Sequence, residues 1–86
     1  MAHGRGHDDE LDLLRRRQLL DASDLGEMIR SRRERLGIAQ LELASMAGID
    51  PGNLSKIERG SRSSHLDTYL KLCGMLGIDL FAEARP

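Results

Sequence analysis

The stretch QLELASMAGIDPGNLSKIERG, Gln40 to Gly60, reads as two short helices joined by a tight turn. Gln40–Ala47 is the first helix. Gly48 supplies the turn, because glycine enters the left-handed region without steric cost. Asp50 is a good N-cap, and Pro51 falls at the first helical position, where a missing N–H is harmless. The second helix runs to Arg59 and stops at Gly60. Ala44 is small where two crossing helices must approach. Leu54 and Ile57, three apart, bury one side of the second helix. The other side presents Gly52, Asn53, Ser55, Lys56 and Arg59, a face with hydrogen-bonding groups, positive charge and no large apolar residue.

Working outward, Asp24 with Glu27 three residues later is a capping-box-like start for a preceding helix that reaches Leu36 and ends at Gly37. Ile29, Arg33 and Leu36 share its inner face at i, i+4, i+7 spacing. An arginine there needs a partner or must turn outward to a phosphate. After Gly60, a polar loop at residues 61–64 leads to Ser64 and Asp67, a second start signal. Leu66, Tyr69, Leu70, Cys73 and Leu76 then form a broad apolar face. Cys73 reads as a core residue, since no neighbouring base makes it a nucleophile.

The order Gln40, Ala44, Gly48, Leu54, Ile57, with the exit Ile57-Glu58-Arg59-Gly60, resembles the helix-turn-helix of phage repressor and Cro proteins, the Xre-like family. The resemblance covers Leu25 to about Leu76. It implies an all-α domain of four core helices whose third lies in the DNA major groove. It also implies a pairing of Arg33 with Glu58. Ala39 departs from the pattern, which usually has Ser or Thr there; alanine cannot cap, at a cost of about 1 kcal/mol.

Asp8–Leu20 carries leucines at 11, 13, 14, 19 and 20, acidic residues first and basic ones later, as a helix dipole favours. A short extension helix is expected there, outside the resemblance, and its leucines need cover. Residues 1–7 include His3 and His7, which have no cysteine nearby and are not expected to hold a metal. After Gly77, Ile78-Asp79-Leu80-Phe81-Ala82-Glu83 largely alternates apolar and polar, a strand signal. A lone strand needs a partner, and the simplest is the same strand of a second copy. Ile78, Leu80, Phe81 and Ala82 are therefore the expected dimerisation residues; a short tail packed on its own domain is the alternative. This feature resembles the antitoxin branch that pairs with Hip-type kinase toxins. The expected organisation is an extension at 1–23, a DNA-binding domain at 24–77 and a C-terminal strand at 78–86.

The chain has 86 residues and two aromatics, Tyr69 and Phe81, so one small aliphatic core is expected. No apolar run is long enough to cross a membrane, no signal peptide opens the chain, and a single cysteine suits a reducing cytoplasm. Net charge is −1, which alone argues against nucleic acid. Between Met28 and Arg62, however, seven basic residues face four acidic ones. A local patch of this kind can seat phosphates. No catalytic triad, phosphate loop or metal-ligand spacing is present, so no enzyme activity, cofactor or metal is expected.

The expectation is a cytoplasmic homodimer that binds double-stranded DNA and represses transcription by occupying a palindromic operator. Asn53, Ser55 and Lys56 would reach base edges, with Gly52 allowing close approach. Lys56 suits guanine and Asn53 adenine. Gln40, Arg59 and Arg62 would hold phosphates. Pro51 and Gly52 stand where relatives often carry base-reading side chains, which gives DNA shape a larger share. Two other classes compete: an antitoxin whose main task is to neutralise a partner protein while autoregulating its operon, and a scaffold without a DNA role.

Overall fold

The computed structural model describes residues 16–61 and 64–86. Four helices follow in order: α1 (Ala22–Arg35), α2 (Gln40–Ala47), α3 (Pro51–Arg59) and α4 (Leu66–Leu76). Helix α1 packs on α3 and α4, and α2 packs on the same two. Ile29, Leu43, Ala44, Leu54, Ile57 and Leu72 are fully buried where they meet, with Cys73 and Leu76 beside them. Burial pushes the Cys73 thiol above its ordinary pKa, as for a side chain used for packing.

Each helix end has a local cause. Asp21, not Asp24, caps α1: its carboxylate accepts from the Ser23 and Asp24 N–H groups at 2.9 and 3.3 Å. Asp24 returns the bond by accepting from the Asp21 N–H at 3.3 Å. The cap thus forms three residues earlier than expected, and α1 begins at Ala22 behind it. Helix α2 lacks a side-chain cap at Ala39; only the return half forms, with Glu42 accepting from the Ala39 N–H at 3.4 Å. Gly48, at φ 67°, reverses the chain, and Ile49 N–H donates back to the Ala44 carbonyl at 3.0 Å. The expected Ser64–Asp67 box does not form. His65 occupies the N-cap without a side-chain bond, which leaves Ser64 one residue outside the helix.

Two side chains from elsewhere in the chain cap carbonyl ends. Arg32 Nε donates to the Leu76 carbonyl at 2.7 Å, tying α1 to the end of α4. Lys71 Nζ donates to the Ala47 carbonyl at 3.1 Å, tying α4 to the end of α2. Both put a cation at the negative pole of a helix.

Three expectations are corrected. Of the extension helix at 8–20, residues 8–15 lie outside the described residues, as do His3 and His7, and residues 16–20 are not helical. Arg17 is instead drawn to Asp24 at 2.6 Å and Glu27 at 3.3 Å, and the Leu20 N–H to Asp24 at 2.8 Å, so this stretch leads irregularly onto the α1 cap. No strand occurs among the described residues, and 78–86 has no regular structure. Within one chain the segment has no edge to pair with. Its first residue is spent on the domain: Ile78 is 9% exposed and its N–H donates to the Cys73 carbonyl at 2.8 Å. Leu80 is half-buried, while Ala82 and Phe81 are exposed. Finally, the inner faces are narrower than the periodicity suggested. Leu36, Leu66 and Leu70 are exposed, and Leu72 takes the buried position on α4.

Candidate nucleic-acid interface

Helix α3 is held from behind and open in front. Leu54 and Ile57 are wholly buried, and Glu58 is 3% exposed. Asp50 accepts from the Asn53 N–H at 3.2 Å and fixes the start of the helix. A Cβ at Gly52 would lie 2.9 Å from that Asp50 carboxylate, so the glycine leaves the cap undisturbed. In front, Gly52, Lys56 and Arg59 are exposed, and Asn53 and Ser55 are half-buried. All five outward residues of the sequence reading stand on this helix, on the face away from its buried leucine and isoleucine. Arg62 lies outside the described residues.

The rear of α3 is fastened by a buried charge pair. Arg33 donates through Nε and Nη2 to the two oxygens of Glu58 at 2.8 and 3.0 Å. The same guanidinium donates to the Ile38 carbonyl at 2.8 Å. The Glu58 carboxylate raises the Arg33 pKa above its ordinary value and keeps the guanidinium charged. Two parallel bonds fix the angle as well as the distance of the pair. Arg33 therefore points inward, not to a phosphate.

Gln40 is closer to this pair than the sequence suggested. Its Nε2 donates to Glu58 Oε1 at 3.1 Å, which commits one of the two amide hydrogens to the fold. The basic residues of the patch also divide by task. Arg32 and Arg33 hold carbonyls and a carboxylate inside the domain, and Arg30 pairs with Glu34 at 3.3 Å on the surface of α1. Lys56 and Arg59 make no hydrogen bond or ion pair with another side chain among the described residues.

Sequence reasoning missed the contact that sets the position of α3. A Cβ at Gly26 would lie 2.0 Å from the Ile57 carbonyl oxygen, so α1 and α3 touch backbone to backbone there. One turn on, a Cβ at Gly60 would lie 2.5 Å from Ser23 Cβ, and Gly60 has φ 69°. A glycine at position 26, one residue after Leu25 on the buried side of α1, was the only local signal.

A helix-turn-helix family model matches residues 29–81. A protein of Haemophilus influenzae described as an "Uncharacterized HTH-type transcriptional regulator" is 39% identical over 51 residues, 59% of this chain and 51% of that protein. The chain thus spans about half the length of that relative.

Proposed function

The chain belongs to the helix-turn-helix family, and from this premise we propose that it is a sequence-specific DNA-binding regulator of transcription acting in the cytoplasm. The observation that carries the reading is the outer face of α3. It offers Asn53, Ser55, Lys56 and Arg59 around an exposed Gly52 on a helix whose rear is locked by Arg33 and Glu58. A rigid helix with a flat polar face and two cations suits the major groove, where side chains read base edges and neighbours seat phosphates. Asn53, Ser55 and Lys56 are assigned to bases, Arg59 and Arg62 to phosphates. Gln40 belongs at the edge of the contact: its second amide hydrogen can reach a phosphate. So can the first N–H groups of α2, which no Ala39 side chain occupies.

Repression by a dimer follows as the mechanism. Two copies of α3 about 34 Å apart would enter successive major grooves of a palindromic site and exclude other proteins from it. Support for dimerisation comes from the C-terminal tail, where Phe81 is 93% exposed. Leu80, Phe81 and Ala82 are assigned to the contact between copies, with Ile78 anchoring the tail to its own domain. Phe81→Asp is expected to shift the protein toward monomer, weaken binding to a two-half-site operator and leave helix content intact. Sedimentation equilibrium tests this; a variant as dimeric as the parent at tens of micromolar excludes the tail.

Selection of bound sequences from a random duplex pool tests the function itself. A palindrome with half-sites one helical turn apart is expected; recovery of no preferred sequence overturns the proposal. On the selected operator, Lys56→Ala should cost about 1–3 kcal/mol and spare non-specific binding. Arg59→Ala should weaken all sequences alike and lower the salt slope by about one. Equal losses on operator and random DNA for Lys56→Ala would reassign that side chain to phosphate.

A further inference from the structure

The outward face of α3 carries an acid at its N-terminal end. Asp50 is the N-cap of the helix and is exposed. Its Oδ2 accepts from the Asn53 N–H at 3.2 Å. The same Oδ2 lies 2.9 Å from where a Gly52 Cβ would stand. Gly52, Lys56 and Arg59 recur at i, i+4, i+7, so they share one stripe, opposite the buried Leu54 and Ile57. The carboxylate therefore takes up the space that a side chain at position 52 would fill, one turn before Lys56. Capping accounts for Oδ2 and leaves Oδ1 without a hydrogen bond or ion pair among the described residues.

Capping does not ask for a charge, because serine and asparagine cap as well as aspartate. A negative charge on a face that meets DNA is also repelled by every phosphate. It is tolerable where a donor meets it, since an acceptor shut away from water without a partner is costly. The N-terminal residues of a recognition helix are those that reach base edges. A carboxylate can only accept, and the donors exposed in the major groove are the amines at cytosine N4 and adenine N6. Adenine sets the acceptor N7 beside its amine, which a carboxylate opposes, so cytosine is the better match. Resting on the DNA-binding reading above, we propose that Asp50 is a specificity-determining residue: its Oδ1 accepts from the N4 amine of one cytosine in each half-site. Its charge at the same time lowers the affinity for sequences that offer no amine there. Gly52 is part of the device, because a side chain at that position would displace the carboxylate.

The test is selection from a random duplex pool with the full-length parent, Asp50→Ser and Asp50→Asn. Both variants keep an N-cap, so their thermal melting should stay close to that of the parent. The parent should fix a cytosine at one position of each half-site. Asp50→Ser should relax that position, with roughly a tenfold loss of discrimination, and should bind random DNA more tightly at low salt. Asp50→Asn adds an amide donor and should move the preferred base there from cytosine to adenine. A chemical probe reads the contact itself. N4-methylcytosine at that position places a methyl where the groove-facing hydrogen stood. Parent binding should fall roughly tenfold on the methylated operator, whereas Asp50→Ser should bind both operators alike. A parent indifferent to the methyl group, or a cytosine preference that Asp50→Ser leaves unchanged, overturns the role of Asp50 while sequence-specific binding stands. Recovery of no preferred sequence by the parent overturns the DNA-binding reading and this inference with it.

Discussion

Gly26→Ala is expected to lower the stability of the domain by about 3 kcal/mol, at the upper end of the cost of overpacking a core. The added methyl would sit 2.0 Å from the Ile57 carbonyl oxygen and 3.0 Å from its carbon. Both are backbone atoms of α3, so no side-chain rotation relieves the clash. The helices must separate, and the fully buried Ile29, Leu54 and Ile57 beside the crossing then lose contacts. For a domain of this size the melting temperature should fall by roughly 12–24 °C. Gly74→Ala is the matched control. Gly74 lies inside α4 with nothing within 4 Å of its would-be Cβ. Alanine there should stabilise by about 0.5–1 kcal/mol through helix propensity. Thermal denaturation of the two variants, followed by circular dichroism, should move in opposite directions. A Gly26→Ala protein melting within a few degrees of the parent would show that α1 and α3 do not cross at this point.

Glu58→Ala should be comparably damaging, at about 3–5 kcal/mol, the cost of breaking a buried pair from one side. It removes the acceptor for two guanidinium bonds at 2.8 and 3.0 Å and for the Gln40 amide at 3.1 Å. Arg33 is then left buried with only the Ile38 carbonyl. Arg33→Met strands Glu58 in the same way, with Gln40 as its remaining donor. The double variant Arg33→Met/Glu58→Leu replaces both charges by apolar groups and should recover part of the loss. Chemical denaturation of the four proteins closes a double-mutant cycle, and strictly additive losses would exclude the coupling. Gln40→Ala should act through the same cluster, lowering stability more mildly because the Arg33–Glu58 fork stays intact.

The sequence by itself determined the local elements. Gly48, Gly60 and Gly77 end helices where the chain must turn left-handed, and each has a positive φ. The Asp50–Pro51 start and the burial of Ala44, Leu54 and Ile57 follow from spacing and capping, which act over a few residues. The resemblance supplied the Arg33–Glu58 partnership, which joins residues 25 apart and which periodicity could only mark as an arginine needing a partner. What tertiary structure decided are choices between locally equivalent options. Asp21 and Asp24 are both fair caps, and Asp21 won because Asp24 completes its box while also holding Arg17 and the Leu20 N–H. Arg30, Arg32 and Arg35 look alike in sequence, yet the folded chain sends Arg32 to the end of α4 and pairs Arg30 with Glu34 on the surface. Leu70 and Leu72 are equally apolar, and only the placement of α4 against α1 and α2 leaves one exposed and the other buried. Gly26 is the clearest case. A glycine inside a helix lowers local propensity, and its necessity exists only because the backbone of α3, some thirty residues later, comes to rest against it.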